Sequence, residues 1–595
     1  MRGKFMSDIM KCPICMKDMK KDKNLFICPD CGYRIMASKA APDSGQFDVP
    51  EKKPAIHAGI NRKPAAQKRN TEIHRTGGIT RSIAAACVVV SIILIMIFAF
   101  KGIRGVSDTG LPHGGGSKTP EPVSETHGQN EEQAAENVDT SGYRPESDAV
   151  IDICETIFDK PMDNISREEL ESVTGLTLRE LDDDYISVEY TLSDNTSDSI
   201  TIEARHIDTG DFRCFRKIKS LRLDGFSITS DTNFFKLREL DTLEITGSID
   251  ELVDVMDVSQ LRCLTIRSRS TTGDLSALAQ FTNLETLCLE TYNGSDISGL
   301  MTAPALTSLY IGHGDNIKDF NELFFTSNLK ELSIEAKNLK SIDFLMGYSQ
   351  LEYLELKNTS VSKLDALDYC KDTLTTLRLH QNYSVGLDEY EIVKECKGLR
   401  ELELYPDYNF DVVMEAPDLS MLTELTSLSL GNYDELGNVK KLSQLTQLTL
   451  SGVYCGDSEA LSGLNELEQL TLDDMSIPPE FLAPVSAMDK LTYIDMHDTF
   501  LWGDISCVFA APALESLNLK DASIGINELT LGVSETITAL DIEGTRFYLV
   551  NDDGSYNYGS SPVPLSENLY FFDAFPVLEY LNASGQELED MDLVK

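Results

Sequence analysis

Two pairs of cysteines near the start of the chain have the spacing of a metal site. Cys12 and Cys15 lie in CPIC, Cys28 and Cys31 lie in CPDC, and twelve residues separate the two turns. Each turn offers a pair of thiolates, and four sulfurs satisfy the tetrahedral preference of Zn2+ in a closed structural site. Gly32 and the prolines permit tight turns, while Phe26, Tyr33 and Ile35 are available to cover the metal. A redox C-x-x-C would precede a helix in a strand-helix-strand setting, which this short segment lacks. So small a segment buries too little to fold alone, and zinc binding would supply its folding free energy. The basic residues Lys17, Lys20, Lys21, Lys23 and Arg34 suit phosphates or anionic headgroups, but they read equally as a solvated face, which leaves the partner of this segment open.

The rest of the chain offers binding chemistry more than catalytic chemistry. It contains no nucleophile elbow, phosphate loop, HExxH or kinase signature, so an enzyme is not expected. Its 13 cysteines divide into the four above, Cys87 in an apolar stretch, and eight scattered over the acidic remainder without a disulfide framework. Those eight are expected to be mostly buried thiols, because a chain this long needs no covalent staples.

Charge divides the chain in two. Residues 1–81 carry 17 Lys and Arg against 8 Asp and Glu, for +9; residues 82–104 add +2; residues 105–595 carry 33 against 89, for −56. So acidic a domain disfavours nucleic acid, which needs Lys and Arg to displace counterions, and it favours cationic partners.

Between the halves lies SIAAACVVVSIILIMIFAF, residues 82–100, with no charged side chain and bracketed by Arg81 and Lys101. Nineteen residues at 1.5 Å each are about enough for a hydrocarbon core of roughly 30 Å, so this is read as one transmembrane helix. It follows too long a basic domain to be a cleaved secretory signal. Arg62, Lys63, Lys68, Arg69, Arg75 and Arg81 precede it, against Lys101, Arg104 and Lys118 after it. The positive side stays cytoplasmic, which points to a single-pass cell-membrane protein with its N-terminus inside and its acidic part outside. The expected organisation is a zinc ribbon at 1–40, a basic cytoplasmic linker at 41–81, the span at 82–100, a disordered stalk at 101–147 rich in Gly, Pro, Ser and Glu, a cap at 148–212, and repeats at 213–595.

The repeats have a plain signature. The pattern apolar-x-x-apolar-x-apolar recurs sixteen times from Ile218, Leu240 and Leu261 through Leu351 and Leu374 to Leu514, Ile537 and Leu578, at intervals of 20 to 26 residues before a last interval of 41. In Leu351-Glu-Tyr-Leu354-Glu-Leu356 the alternation makes a short strand with Leu354 and Leu356 facing inward. Apolar residues recur ten positions after the first, as at Leu339, Val361, Ile477, Ile524 and Phe547, and sixteen after it, as at Leu300, Leu345, Leu367 and Leu461. No such unit can bury its apolar face alone, so the units must stack.

The segments LETLCL, LEYLEL and LTQLTL resemble the bacterial leucine-rich repeats of about 22 residues found in internalin-like surface proteins, over roughly residues 150–595. The resemblance implies an α/β solenoid, a horseshoe with short parallel strands on its concave face. Ser166 to Glu169 form a capping box ahead of VTGLTL, which is similar to the half-repeat cap of that family. The family often places Asn three residues after the last strand Leu. Here only Asn382 does so, with Thr359, Thr499 and Thr545 in three other units, and looser turns are expected. The N-terminal half separately resembles membrane-anchored zinc-ribbon proteins of Gram-positive bacteria.

On such a sheet the residues flanking the inward leucines form outward columns. At roughly 4.8 Å per strand, fifteen steps make an arc on the order of 70 Å, long enough for a protein or glycan ligand. Tyr353, Glu355, Arg378, His380, Glu403 and Tyr405 in the middle, with Tyr493 and His497 farther on, are the candidate partner-binding residues, flanked by Lys357, Glu401, Asp495 and Lys520. Aromatic residues and Arg among charges are typical of contact patches. The longest interval holds an insertion near 547–576 with eight aromatic residues, suited to a binding loop or to a C-terminal cap. The expected function is adhesion or recognition at the cell surface; the alternative is a transmembrane sensor or envelope-homeostasis protein that relays outer binding to the ribbon.

Overall fold

The computed structural model describes the strands Lys20–Asp22, Leu25–Ile27 and Arg34–Met36, together with residues 144–586 and 588 apart from 183–184, 205–206, 229–231, 268–274, 383–384, 408–413, 502–504, 527–532, 550–560 and 568. The four N-terminal cysteines, the linker at 41–81, the apolar segment at 82–100 and the stalk up to residue 143 lie outside the described residues. Among the described residues no helix is long and apolar enough to cross a membrane. The three short N-terminal strands pair antiparallel, with Leu25–Ile27 in the centre. Ile27 directly precedes Cys28, and Arg34 lies three residues beyond Cys31, so the second C-x-x-C falls in the connection between the second and third strands.

Seventeen parallel strands among the described residues make one sheet, each paired with the next along the chain. Sixteen are the repeats read from the sequence. The first, Val173–Asp182, is the VTGLTL segment, and its Val173, Leu176 and Leu178 are buried in the same pattern. Half-repeat cap and first turn are thus one element. The pairings extend beyond that strand into an antiparallel hairpin, Tyr185–Leu192 and Ser197–Glu203, and Tyr580–Asn582 forms the other end.

The cap forms for local reasons. The helix Asp148–Phe158 buries Ala149, Val150, Ile153 and Cys154. The carboxylate of Asp211 accepts the N–H groups of Glu146 and Ser147 at 2.7 and 2.6 Å, which satisfies donors left orphaned where a helix begins. The capping box is present: Ser166 Oγ accepts from Glu169 N–H at 3.2 Å, and Glu169 Oε2 accepts from Ser166 N–H at 2.9 Å.

Inside the solenoid the leucines stack in register, Leu332 beside Leu354, then Leu377, then Leu402, all fully buried. Each such side chain contributes about 1.5–3 kcal/mol by leaving water. The apolar residues ten and sixteen places into the unit, including Leu339, Val361, Leu345 and Leu367, are buried as expected.

The returning side is less helical than an α/β solenoid implies. Ser276–Gln280, Ser298–Thr302, Phe320–Phe325, Asp343–Gly347 and Asp365–Tyr369 are 3-10 segments, whereas Ile249–Val255, Pro479–Leu482 and Ser506–Phe509 are α-helical. A 3-10 segment rises about 2.0 Å per residue against 1.5 Å, so a short unit returns to its start with fewer residues. Toward the C-terminus a second parallel sheet joins Ser476–Ile477, Phe500–Leu501, Ser523–Ile526 and Arg546–Leu549.

Among the described turns after the strands, ten share one backbone conformation, contrary to the looseness expected from the missing asparagines. In ten turns the residue at one equivalent position takes a left-handed conformation: His313, Asn358, Gln381, Asn432, Gly452, Asp474, Asp498, Asp521, Gly544 and Gly585, with φ from 48° to 81°. Most are Asn, Asp or Gly, the types that tolerate this region. At the next position Thr359, Asn382, Thr499 and Thr545 are buried. Thr359 Oγ1 donates to Asn382 Oδ1 at 2.6 Å, Asn382 Nδ2 to the Leu356 carbonyl at 3.3 Å, Thr499 Oγ1 to the Met496 carbonyl at 2.5 Å, and Thr545 Oγ1 to the Leu519 carbonyl at 2.7 Å. A threonine hydroxyl does the work expected of the amide.

The eight cysteines of the repeat domain are free thiols, six buried and two half-buried. Cys263 pairs with Thr286 and Cys288 with Thr265, so these two thiols are out of register. Three phenylalanines of the insertion turn inward: Phe547 meets Phe571 at 5.2 Å, and Phe575 meets Phe571 at 5.4 Å and Phe509 at 5.2 Å.

Candidate functional site

Strand alternation buries Leu354 and Leu356 and presents Tyr353, Glu355 and Lys357 on the open face. Parallel register then sets Glu355 beside Arg378 and Arg378 beside Glu403, with Lys357, His380 and Tyr405 in the adjoining column. Residues some 23 positions apart in sequence are thereby close neighbours.

Six of the eight sequence-selected residues form one network. Arg378 reaches Glu401, and its Nε lies 3.1 Å from Glu403 Oε1. Its guanidinium sits 5.6 Å from the Tyr353 ring centroid. His380 Nε2 is 2.8 Å from Glu403 Oε2, and its ring lies 4.9 Å from that of Tyr405. Glu355 Oε2 accepts from Ser333 Oγ at 2.7 Å and from the Tyr353 hydroxyl at 3.2 Å. Burial alone would push the Glu403 carboxyl up, but the His380 hydrogen bond and the Arg378 charge outweigh it and hold the carboxyl below its ordinary value. Burial pushes the Tyr353 hydroxyl well above its usual range. The Arg378 side chain is only 11% exposed, so this patch is a preorganised network and not a set of free side chains.

The other two residues belong to a second network. His497 Nε2 lies 2.9 Å from Asp473 Oδ1, and His497 Nδ1 lies 2.9 Å from Asp495 Oδ1. Hydrogen bonds to Asp473 and then Asp495 raise the His497 imidazole from 6.5 to about 10, so it stands as an imidazolium at neutral pH. Tyr493 donates to Asp495 Oδ2 at 3.1 Å, and Ser451 Oγ donates to Asp473 Oδ2 at 3.1 Å. Ser451, Asp473 and His497 have the residue types of a hydrolytic triad, yet both imidazole nitrogens donate to carboxylates, which leaves no base for the serine proton. Asp473, His497 and Asp498 also bring donor atoms within 4.8 Å of one another. The doubly occupied imidazole again has no lone pair to offer a metal.

Sequence reasoning missed a third network. Arg267 Nη1 lies 2.6 Å from Asp224, its Nη2 2.8 Å from Glu244 and its Nε 3.0 Å from Glu290, three carboxylates from three different turns. The signal was available, since all three acids occupy outward columns beside Arg267, but it emerges only when every strand is written in register. The predicted zinc ligands Cys12, Cys15, Cys28 and Cys31 lie outside the described residues.

No protein-family model matches the chain, and no curated protein matches it. Solved structures do. An internalin, InlF, from Listeria monocytogenes is 19% identical over 73% of this chain and 95% of its own, with a TM-score of 0.32. A leucine-rich-repeat protein from Leptospira interrogans is 15% identical over 61% of this chain and 96% of its own, with a TM-score of 0.39. The TLR13–ssRNA13 complex gives 18% identity over 64% of this chain and 62% of that chain, with a TM-score of 0.46. The seventeen strands in register, one per unit, carry the fold assignment by themselves. The repeat domain is a leucine-rich-repeat solenoid.

Proposed function

We propose that this solenoid is a recognition module, not an enzyme, whose strand face binds a protein or glycan partner at the cell surface. The observation that carries the reading is the mid-sheet patch, where two tyrosines, a histidine, an arginine and several carboxylates from adjacent turns are held in fixed positions by one another. A rigid, mixed aromatic and charged patch loses little conformational entropy on binding. Across the three networks of this face, the cations Arg378, Arg267 and His497 each already contact two or more carboxylates. The charge left uncompensated on the face is negative, which favours a partner segment rich in Lys or Arg.

In this reading residues 82–100 anchor the chain through one span, and Cys12, Cys15, Cys28 and Cys31 hold one structural zinc on the cytoplasmic side. The antiparallel pairing on either side of the second C-x-x-C supports a ribbon. Capture from a surface extract by the full chain in detergent, analysed for proteins and glycans, tests the function. Glu355→Lys with Glu403→Lys should reduce specific capture at least about tenfold, equivalent to roughly 1.4 kcal/mol. Undiminished capture by this variant would place the binding surface elsewhere. Zinc analysis of the purified chain should give one equivalent, lost in Cys28→Ser. Protease treatment of intact cells should release repeat-domain peptides.

A further inference from the structure

The returning side of the solenoid exposes apolar side chains that packing of the repeats does not require. In four consecutive 3-10 returns, Ser298–Thr302, Phe320–Phe325, Asp343–Gly347 and Asp365–Tyr369, one buried leucine holds the same place. The carbonyls of Leu300, Leu323, Leu345 and Leu367 accept the N–H groups of Ala303, Thr326, Tyr348 and Cys370 at 2.9 to 3.2 Å. The two residues after each leucine therefore stand at equivalent places. They include Met301, Phe324, Phe325, Met346 and Tyr369, all between 42% and 65% exposed. The return before has Ala279 and Gln280 at those places and the return after has Lys394 and Glu395, so the stripe has two ends. Its turns are fixed against one another. The Tyr348 hydroxyl donates to the Leu323 carbonyl at 2.8 Å. A Cβ on Gly347 would lie 2.9 Å from the Phe324 carbonyl oxygen and 3.5 Å from Cδ2 of its ring, so only glycine lets these two returns come so close. The Phe324 and Phe325 rings meet edge to face at 5.6 Å. Large apolar residues exposed singly are ordinary, whereas a contiguous run marks an interaction site.

The charges around the stripe select its partner. Asp296, Asp319, Glu322, Asp343 and Asp365 lie in or just before the same returns, and none forms a salt bridge among the described residues. Glu322 Oε2 is enclosed and has no hydrogen-bond partner. Of the neighbouring lysines, Lys371 is held by Asp368 and Lys363 by Glu389, which leaves only Lys318 and Lys340 unpaired. A second copy would bring the same acidic rim against this one, and an anionic lipid surface would be repelled by it. We propose that this stripe docks an amphipathic helix of a partner protein, its apolar ridge against Met301, Phe324, Phe325 and Met346 and its Lys or Arg residues beside Glu322 and the neighbouring carboxylates. Three steps between four returns, at roughly 4.8 Å or more each, span at least about 14 Å. That is about ten residues of helix at 1.5 Å each, enough for an apolar ridge spaced i, i+3, i+7. This surface is separate from the strand face and does not depend on what that face binds.

The test uses the full chain in phosphatidylcholine nanodiscs and a synthetic amphipathic Leu/Lys helix of about 18 residues that carries a photoactivatable group. The expected result is saturable binding with cross-links in residues 298–302, 320–325 and 343–347. Phe325→Ser with Met346→Ser should weaken it at least about tenfold, and Glu322→Gln about threefold. Met421→Ser, which alters an equally exposed methionine on a return outside the stripe, should bind like the native chain. A Leu/Glu helix of the same periodicity should not bind. The altered side chains are exposed, so an unchanged urea midpoint should show that each variant is folded. Undiminished binding by the folded double variant, or cross-links confined to the strand face, would overturn the proposal. Two other results would also overturn it, by giving the stripe to a different occupant. One is self-association of the chain that the double variant abolishes, read by mass photometry. The other is labelling of these returns by a photoactivatable phosphatidylglycerol that the Leu/Lys helix does not displace.

Discussion

The mid-sheet and C-terminal networks occupy the same outward columns of one sheet, yet they are built around different cations. In the middle, a guanidinium that stays charged at any ordinary pH binds Glu401 and Glu403. Toward the C-terminus an imidazole holds Asp473 and Asp495. The comparison shows that register alone determines which charges meet, whereas residue type determines when they meet. The first patch is permanent; the second is conditional on pH.

Arg378→Ala should have the largest effect. It leaves Glu401 and Glu403 partly buried without their cation, for a loss of about 3–5 kcal/mol, read as a lower urea midpoint in the central turns. Asn382→Ala removes both the acceptor of the Thr359 hydroxyl and the donor to the Leu356 carbonyl, and a loss of about 1–3 kcal/mol is expected. It serves as the interior reference for the two face networks. His497→Gln should cost less than Arg378→Ala at pH 7, because its site is more open to water. A stabilising effect of His497→Gln at pH 6 would break the comparison.

The sharper distinction is pH dependence. The folded-state value of His497 is raised to about 10 from 6.5, so its contribution is complete below about 6.5, declines above that, and is lost as pH rises through 10. Asp473 and Asp495 are lowered, the first chiefly by the His497 hydrogen bond and the second by His497 against the opposing effect of burial, so their contribution is lost as pH falls through their depressed values. The stability difference between the native chain and His497→Gln should therefore be greatest near pH 5–6 and close to zero at pH 11, measured by urea titration. The difference for Arg378→Ala should persist across the alkaline side of that range. The smallest effect is expected for Lys363→Ala, which removes an exposed ion pair with Glu389 and should leave the melting temperature unchanged.

Much of this was legible because the repeat is written in leucines. The sixteen starting positions read from Ile218 onward correspond one to one with observed strands, and the residues named as inward are buried. The turn chemistry was harder to read. The family pattern places Asn at the position of Thr359, while the conformational signal lies one residue earlier, in the column of Asn358, Asn432, Asp474, Asp498 and Asp521. Register brings Tyr353, Arg378 and Glu403 side by side, but sequence spacing does not reveal that these side chains bind one another. Arg267 escaped notice because its acids come from turns on both sides, at separations that look unrelated until the strands are aligned. The 3-10 returns were also not evident, since an apolar residue every few positions fits either kind of helix.

The strand Ala539–Asp541 pairs directly with Tyr580–Asn582 although 41 residues, nearly twice the usual unit, separate their equivalent positions. The ladder therefore counts strands and is indifferent to the length of chain between them. Such an architecture can acquire or lose surface elements by lengthening a single return, with every earlier turn left in place. New binding properties can arise in this solenoid by accretion at one unit, without renegotiation of the core.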